Sequence, residues 1–383
     1  MSALPVYLDY NSTAPVDERV LDAMLPFFRK QFGNAASRTH AYGWAAAKAV
    51  DIARAQVAHL LGAEENEIIF TSGSTEAINL AIKGACAAYA TKGKHILVSA
   101  TEHKAVLDTC SFLERAGAEI TRIPVDREGI IDLDFLKKNI RRDTILVCVM
   151  TANNETGTIQ PVDEIAAIVH EAGSVFFSDT TQALGKMNVH VNEAGIDLCC
   201  ISAHKICGPK GAGALFVRRK DPRVSLVAQM HGGGHERGLR SGTLNVPGIV
   251  GLGKAAEIAA AEGWDDAQRL SVLRTELEQK IISCGTVFVN GSVKDRLPNT
   301  TNLRITGVKA AELIAKLPLL AFSAGSACTS AIPEPSHVLK AMGLSGEESH
   351  ASIRLSIGKF TTDEEIAKAG ELLCNQINAL RYS

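Results

Sequence analysis

The stretch that decides the fold runs from Asp197 to Val217, DLCCISAHKICGPKGAGALFV. Residues 198–201 are apolar, as in a strand buried on both faces. The run breaks at Ser202-Ala203-His204-Lys205, passes Gly208-Pro209-Lys210-Gly211 and resumes as a second apolar run at 214–217. Burial favours the neutral form of a lysine, and a neutral amine attacks carbonyls. Ser202 and His204 beside it are donors for an anion. Taken alone, Lys205 fits an exposed turn at least as well. Another apolar run, 175–178, ends in Asp179, 26 residues earlier, which leaves room for a crossover between parallel strands. Such strands would bring a carboxylate and an amine to one carboxyl edge of a sheet, where open α/β proteins bind ligands. A Schiff-base lysine with an aspartate on a pyridinium nitrogen is how proteins hold pyridoxal phosphate.

Outward from this stretch, strand patterns at 67–71, 95–99, 119–124, 144–150 and 175–178 alternate with helical patterns at 75–89, 105–116, 133–140 and 162–172. The alternation predicts an α/β fold with a mostly parallel, doubly wound sheet. Two helical patterns precede it, one ending near residue 30 and one over 43–61. The pattern changes after Gly232-Gly233-Gly234. A long helix is expected over 249–282, interrupted near Gly263-Trp264. Strands at 287–290, 301–305 and 321–324 follow, with helices at 310–317 and 362–380. This predicts a large domain over 15–257 and a smaller α+β domain made of 1–14 and 258–383.

Composition excludes several functions. The 383 residues are 46% hydrophobic and 21% charged with net charge −2, so neither a nucleic-acid nor a membrane surface is expected. The start, MSALPVYLDY, has no basic segment followed by an apolar one, which points to the cytoplasm. The nine cysteines are scattered rather than framed as pairs, as expected in a reducing compartment. Cys86, Cys110, Cys148, Cys284 and Cys374 read as small buried hydrophobes. Cys199, Cys200 and Cys207 lack a second cluster to complete a metal site.

Several motifs carry chemistry. Thr71-Ser72-Gly73-Ser74-Thr75-Glu76 joins a strand to a helix, where Gly73 admits a ligand and the helix N-terminus attracts an anion. An ordinary capped turn has the same residues. His103 follows a strand and is placed to stack on a planar ring and move protons. Asn153-Asn154-Glu155-Thr156-Gly157 follows another. Gln182, just after Asp179, can reach a ring oxygen. In His231-Gly232-Gly233-Gly234-His235-Glu236-Arg237 the glycines deny a helical histidine pair, and the loop with Arg237, Arg240, Ser241 and Thr243 suits anion contact or a subunit interface. Cys328 lies among small and polar residues closed by Pro333 and Pro335, a mobile loop on which a thiol is available as a nucleophile. Arg354, alternating with apolar neighbours, reads as an inward clamp for a carboxylate.

In order along residues 7–370, TSGSTEA, ATEHKA, NNETG, SDTTQALGK, SAHKICGPKGAGAL, HGGGHERGLRSGT and SAGSACTSA resemble cysteine desulfurases of the IscS/NifS type, in the class-V aminotransferase family. The resemblance implies the fold-type-I architecture of pyridoxal-phosphate enzymes, with a seven-stranded large sheet, in a homodimer. It implies that Lys205 forms the Schiff base with pyridoxal phosphate, Asp179 pairs with the ring nitrogen, Gln182 bonds the ring oxygen and His103 stacks on the ring. Ser74, Thr75, Ser202 and His204 would hold the phosphate with Thr243 of the partner subunit. Asn154 would contact the cofactor and, with Asn34 and Arg354, bind the substrate carboxylate. L-cysteine would yield L-alanine and a persulfide on Cys328, passed to a sulfur-acceptor protein for iron–sulfur cluster or thio-modification chemistry. The Cys328 segment resembles the IscS/NifS group rather than the SufS group. Thr180 departs from the pattern, standing where an alanine usually packs on the ring. The chain ends soon after its last helix, short of the tail that scaffold-docking enzymes of this type often carry. An aminotransferase, a selenocysteine lyase and a non-enzymatic sulfur carrier remain the alternative readings.

Overall fold

The computed structural model describes residues 4–324 and 335–381. Val6–Tyr7 (β1) opens the chain, followed by helices Glu18–Arg29 (α1) and Ala41–Leu61 (α2). Strand–helix units follow: Ile68–Thr71 (β2), Ser74–Ala88 (α3), His95–Ser99 (β3), Lys104–Arg115 (α4), Glu119–Ile123 (β4), Leu133–Asn139 (α5), Thr144–Cys148 (β5), Val162–Glu171 (α6) and Val175–Asp179 (β6). Leu198–Ser202 (β7) and Gly213–Val217 (β8) complete a seven-stranded sheet in the order β2-β8-β7-β6-β5-β3-β4. Within it β8 alone runs against its neighbours. The ends of β2, β3, β5, β6 and β7 therefore share one edge, as the alternation predicted.

The inner strands of the sheet are buried on both faces because most of their positions are apolar. Leu97, Val147, Phe176, Cys199 and Phe216 enter one cluster, with α2 and with Val246, Ile249 and Leu252. Their neighbours Ile96, Val98, Leu146, Phe177, Cys200 and Leu215 enter the cluster on the other face, under α3 and α4. This is the period of two of an extended strand, with both faces covered.

Helix Val246–Ile282 (α7) leads out of the large sheet. Its start, Ile249 and Leu252, packs in the large core, and its end, Leu270, Leu273, Leu277 and Ile281, packs in another core. That second core also takes Val6 and Leu8 together with residues of Val287–Val289 (β9), Thr300–Ile305 (β10), Ala310–Lys316 (α8), Leu320–Ala321 (β11), Ser352–Ser356 (β12) and Asp363–Arg381 (α11). β12, β10 and β9 form an antiparallel sheet, and β1 pairs in parallel with β11. The short helices His337–Ala341 (α9) and Gly346–His350 (α10) lie between β11 and β12.

Two expectations are corrected. α7 is continuous through Gly263-Trp264. A side chain at Gly263 would meet the Gly185 carbonyl oxygen at 3.0 Å, so this glycine permits a close approach rather than breaking the helix. Cys284 and Cys374 are not simple buried hydrophobes: they form a disulfide joining the turn after α7 to α11. The partners lie 90 residues apart, so no local spacing announces the pair.

The glycine-rich loop is tied down from within. Glu236, 7% exposed, accepts from both terminal nitrogens of Arg54 at 2.7 and 2.8 Å and from the Phe70 amide at 2.7 Å. Arg237 donates to the Ile68 carbonyl, and Arg240 pairs with Glu76 at 2.7 Å. These arginines are engaged with β2 and α3 rather than left free for an anion.

Removing one member of a buried ion pair strands the other. Glu236→Ala should destabilise the fold by about 3–5 kcal/mol in a denaturant titration, whereas a loss under about 1 kcal/mol would contradict the buried pairing. Thiol titration of the denatured, unreduced protein should find two thiols fewer than after reduction. Cys374→Ser should cost about 2–4 kcal/mol relative to the oxidised protein.

Candidate active site

A cleft of about 1010 Å³ opens at the carboxyl edge of the large sheet, and residues of both cores line it. Lys205 ends the short 3-10 turn after β7. Its Nζ donates to the Ser12 carbonyl at 2.7 Å and to the Asn11 carbonyl. Burial, reinforced by Arg354 and opposed by Asp179 and Asp9, pulls its ammonium down to about 8. Asp179 lies at the end of β6, in register with Cys200 of β7. It is 6% exposed, and Oδ1 accepts from the Thr181 amide at 2.9 Å and the Cys200 thiol at 3.2 Å. The parallel pairing of β6 and β7 thus sets carboxylate and amine at one edge.

Ser74, Thr75 and His204 line the same cleft. Ser74 and Thr75 open α3 behind Gly73, whose φ of 153° suits glycine. A side chain at Gly213 would meet the Gly73 Cα and the Ile201 carbonyl oxygen at 2.5 Å, so two glycines let the α3 N-terminus settle onto the sheet. Ser202 sits beneath, its Oγ 3.8 Å from where a Gly73 side chain would be. Burial, with Lys205, Lys210 and Lys186 nearby, pushes the His204 imidazole down to about 4. His204 is therefore neutral at pH 7, with Nδ1 bonded to Thr13 Oγ1 at 3.1 Å.

His103 caps α4, Nδ1 accepting from the Ala105 amide at 3.1 Å, which assigns the proton of the neutral ring to Nε2. Gln182 donates from Nε2 to the Asn11 carbonyl at 2.9 Å. Thr180 is fully buried, and its hydroxyl donates to the Cys200 carbonyl at 2.9 Å. Arg354 is not the free clamp expected from the sequence. Its guanidinium donates to Asp9 at 2.7 Å, Ser12 Oγ at 2.8 Å and the Asn154 carbonyl at 3.0 Å, and its buried Nε has no partner among the described residues. Asn154 contributes that carbonyl and lines the cleft.

Asn34 and Thr243 do not line the cleft. Asn34 Oδ1 accepts from the Ala36 amide at 2.9 Å within its own loop, and Thr243 is exposed. Cys328 lies outside the described residues, but Ala324 and Pro335, which flank its segment, both line the cleft.

Residues that sequence reasoning passed over complete the site. Asn11 and Ser12 read as a turn, and they reach Lys205 through backbone carbonyls that any side chain would leave in place. Glu102 is fully buried: Oε1 accepts from the Met150 amide at 2.5 Å, Oε2 has no partner among the described residues, and its carboxyl is held far above the usual range by burial and then by Asp179. Glu155, already singled out in the Asn153–Gly157 motif, accepts from Ser336 Oγ at 2.5 Å, and burial lifts its carboxyl to about 7.

The donor set fits pyridoxal phosphate. An enclosed amine, a buried carboxylate at the same sheet edge and a helix N-terminus cleared by two glycines stand around one cleft, and the orphaned Arg354 Nε points to a further acceptor there.

Known proteins agree. The cysteine desulfurase IscS of Anaeromyxobacter sp. strain Fw109-5 is 51% identical over 379 residues, covering 99% of this chain and 94% of that protein. A solved NifS-like protein superposes with a TM-score of 0.91 at 35% identity, covering 99% of this chain and all of its own. The structure of SspA in complex with cysteine has a TM-score of 0.81 at 36% identity over 93% of this chain and 99% of that one. With a match to the aminotransferase class-V family over residues 6–368, this chain belongs to that pyridoxal-phosphate-dependent family.

Proposed function

We propose that this chain is a pyridoxal-phosphate-dependent cysteine desulfurase, converting L-cysteine to L-alanine and passing the sulfur through Cys328 to an acceptor protein. The observation that carries the reading is the position of the Cys328 segment, which leaves the described chain at Ala324 and rejoins it at Pro335, both on the cleft that holds Lys205 and Asp179. Cys328 is four residues from Ala324, within roughly 14 Å of extended chain.

Bound at Lys205 and Asp179, the cofactor supplies an electron sink that labilises bonds at the substrate's α- and β-carbons. The residues do the rest. Lys205, with its depressed ammonium, takes and returns the proton at the α-carbon. Asp179 keeps the ring nitrogen protonated, Gln182 donates to the ring oxygen, and His103 stacks on the ring and moves protons. Ser74, Thr75, Ser202 and His204 hold the phosphate. Arg354, with Asn154, orients the substrate carboxylate. The Cys328 thiolate attacks the substrate sulfur, the carbon–sulfur bond breaks, its electron pair stays with carbon, and a proton completes alanine.

A homodimer fits the residues left outside the cleft. Leu21, Phe28, Phe32, Tyr42, Trp44 and Ile52 of α1, α2 and their connection are all more than 45% exposed, an apolar surface suited to a second copy. Thr243 of each subunit would complete its partner's phosphate site, and Asn34 would join a substrate site in the assembly. The domain division falls within α7 near residue 257, so that the body carrying Cys328 packs against the one carrying Lys205. Among the described residues no helix is long and apolar enough to cross a membrane. The cytoplasm is the compartment in which a Cys328 persulfide would meet reduced acceptor proteins.

Two outcomes test this reading. With L-cysteine and a thiol reductant the wild type should release alanine, and Cys328→Ala should release none above background. Equal alanine from both would remove Cys328 from the reaction. Uptake of pyridoxal phosphate by the cofactor-free protein, followed by absorbance, should quicken about tenfold per pH unit below pH 8 and level off above it, because only the neutral Lys205 amine reacts. A flat rate between pH 6 and 9 would contradict that assignment.

A further inference from the structure

Behind the cleft lies a smaller cavity of about 60 Å³, lined by Leu184, Gly185, Lys186, Lys205, Cys207 and Ile258. Lys205 lines both cavities, whereas Lys186 lines only the rear one. Lys186 takes no part in the chemistry above. No carboxylate pairs with it among the described residues, and its Nζ instead donates to Gln182 Oε1 at 2.9 Å and to the Gln182 carbonyl at 3.0 Å. Burial pulls its ammonium down to about 7, with Lys205 and Arg354 adding to the shift and Cys207 opposing it. A lysine is an expensive filler for such a place, and a methionine would occupy it without the desolvation cost.

The geometry points to Lys186 as a positioning residue for the cofactor: by holding Gln182 Oε1 it fixes the side-chain amide so that Nε2 faces the ring oxygen in the cleft. This rests on the reading that pyridoxal phosphate fills the cleft with Gln182 at its ring oxygen. A glutamine amide can be set two ways round, with nearly the same shape and opposite hydrogen-bonding character. A lysine nitrogen donating to it must meet the oxygen. The Asn11 carbonyl at the other end can only accept, so it must meet Nε2. Both neighbours impose the same orientation. The Asn11 carbonyl uses one Nε2 hydrogen and the other is left for the ring oxygen. That Asn11 carbonyl also accepts from Lys205 Nζ, so Lys186, Gln182, Asn11 and Lys205 form one chain of contacts.

Without Lys186 the Asn11 carbonyl alone sets the amide, which is then held at one end instead of two, and the Nε2 hydrogen bond to the ring oxygen weakens. A weaker donor leaves the ring oxygen more basic. The proton shared between it and the Lys205 nitrogen is then held to higher pH, against the same surrounding charges of Asp179, Asp9 and Arg354.

The test uses binding and spectroscopy, neither of which needs turnover. Wild type, Lys186→Met, Lys186→Gln, Gln182→Leu and the double variant K186M/Q182L are stripped of cofactor, checked by circular dichroism and titrated with pyridoxal phosphate. Lys186→Met should weaken binding up to about tenfold, the size of one hydrogen bond, and raise the pH at which the bound cofactor's absorption band changes. Lys186→Gln keeps a donor without the charge and should restore wild-type behaviour. The double variant should be no worse than Gln182→Leu alone, since Lys186 acts through Gln182. Unchanged affinity and titration in Lys186→Met would overturn the inference. So would equal shifts in Lys186→Met and Lys186→Gln, which would assign the effect to charge, or additive losses in the double variant. A wild type that binds no pyridoxal phosphate would overturn both readings. One that binds it as described but yields no alanine from cysteine would sink the desulfurase reading alone.

Discussion

Everything in the cleft depends on the pairing of β6 with β7. Asp179 and Lys205 are far apart in the chain, and only parallel pairing in the register Phe177 to Leu198, Ser178 to Cys199 and Asp179 to Cys200 delivers both to one edge. A slip of one residue would turn Phe177 and Cys200 out of their cluster and Phe176 and Cys199 out of the other. The register is thus enforced by burial on both faces. The chemistry inherits a precision that it need not supply itself, because the side chains that react begin where the buried strands stop.

The second constraint is the chain start, which ties the residues around the two cores together. Asn11 is 2% exposed and every polar group on it is used. Its amide donates to Ser356 Oγ, its side chain donates to Thr300 Oγ1 and the Asn154 carbonyl, and its Oδ1 accepts from Asn299. Its carbonyl accepts from Gln182 and Lys205. One residue thereby joins β10 and the residue before it, the end of β12, the loop after β5 and the two loops that hold Gln182 and Lys205. Buried networks of this kind are costly when half satisfied and rigid when complete.

The division between what was legible in the sequence and what was not follows from the range of the interactions involved. Apolar runs ending in Asp179 and in Ser202-Ala203-His204-Lys205 were readable because a buried strand writes its burial into consecutive residues. Gly73 was readable because its backbone conformation admits little else. Asn11 and Ser12 were not, since they act through main-chain carbonyls that leave no mark in side-chain choice. The Cys284–Cys374 bridge was hidden by a separation of 90 residues, and scattered cysteines read as reduced ones. Gly263 misled because a glycine that permits contact and one that breaks a helix look alike until the neighbour, here Gly185, is known. Arg354 was placed correctly on a strand, but the local pattern could not disclose that Asp9 had already engaged it.

The buried ionisable groups around the cleft share a further feature, which bears on why the site accepts an anionic cofactor and a carboxylate substrate. Glu102 is held in its protonated form and Glu155 is lifted to about 7, while His204 is pushed down to about 4. Each is drawn toward neutrality by burial rather than paired with an opposite charge. Asp179 and Asp9 are the carboxylates that act on Lys205, and Arg354 the guanidinium that opposes them. Were Glu102 ionised, a second negative charge would stand beside Asp179, the carboxylate proposed to face the ring nitrogen. Under the role proposed for Asp179, the fold spends its desolvation on Glu102, the acid that does not line the cleft, and sets Asp179, which does, at the edge where the cofactor would bind.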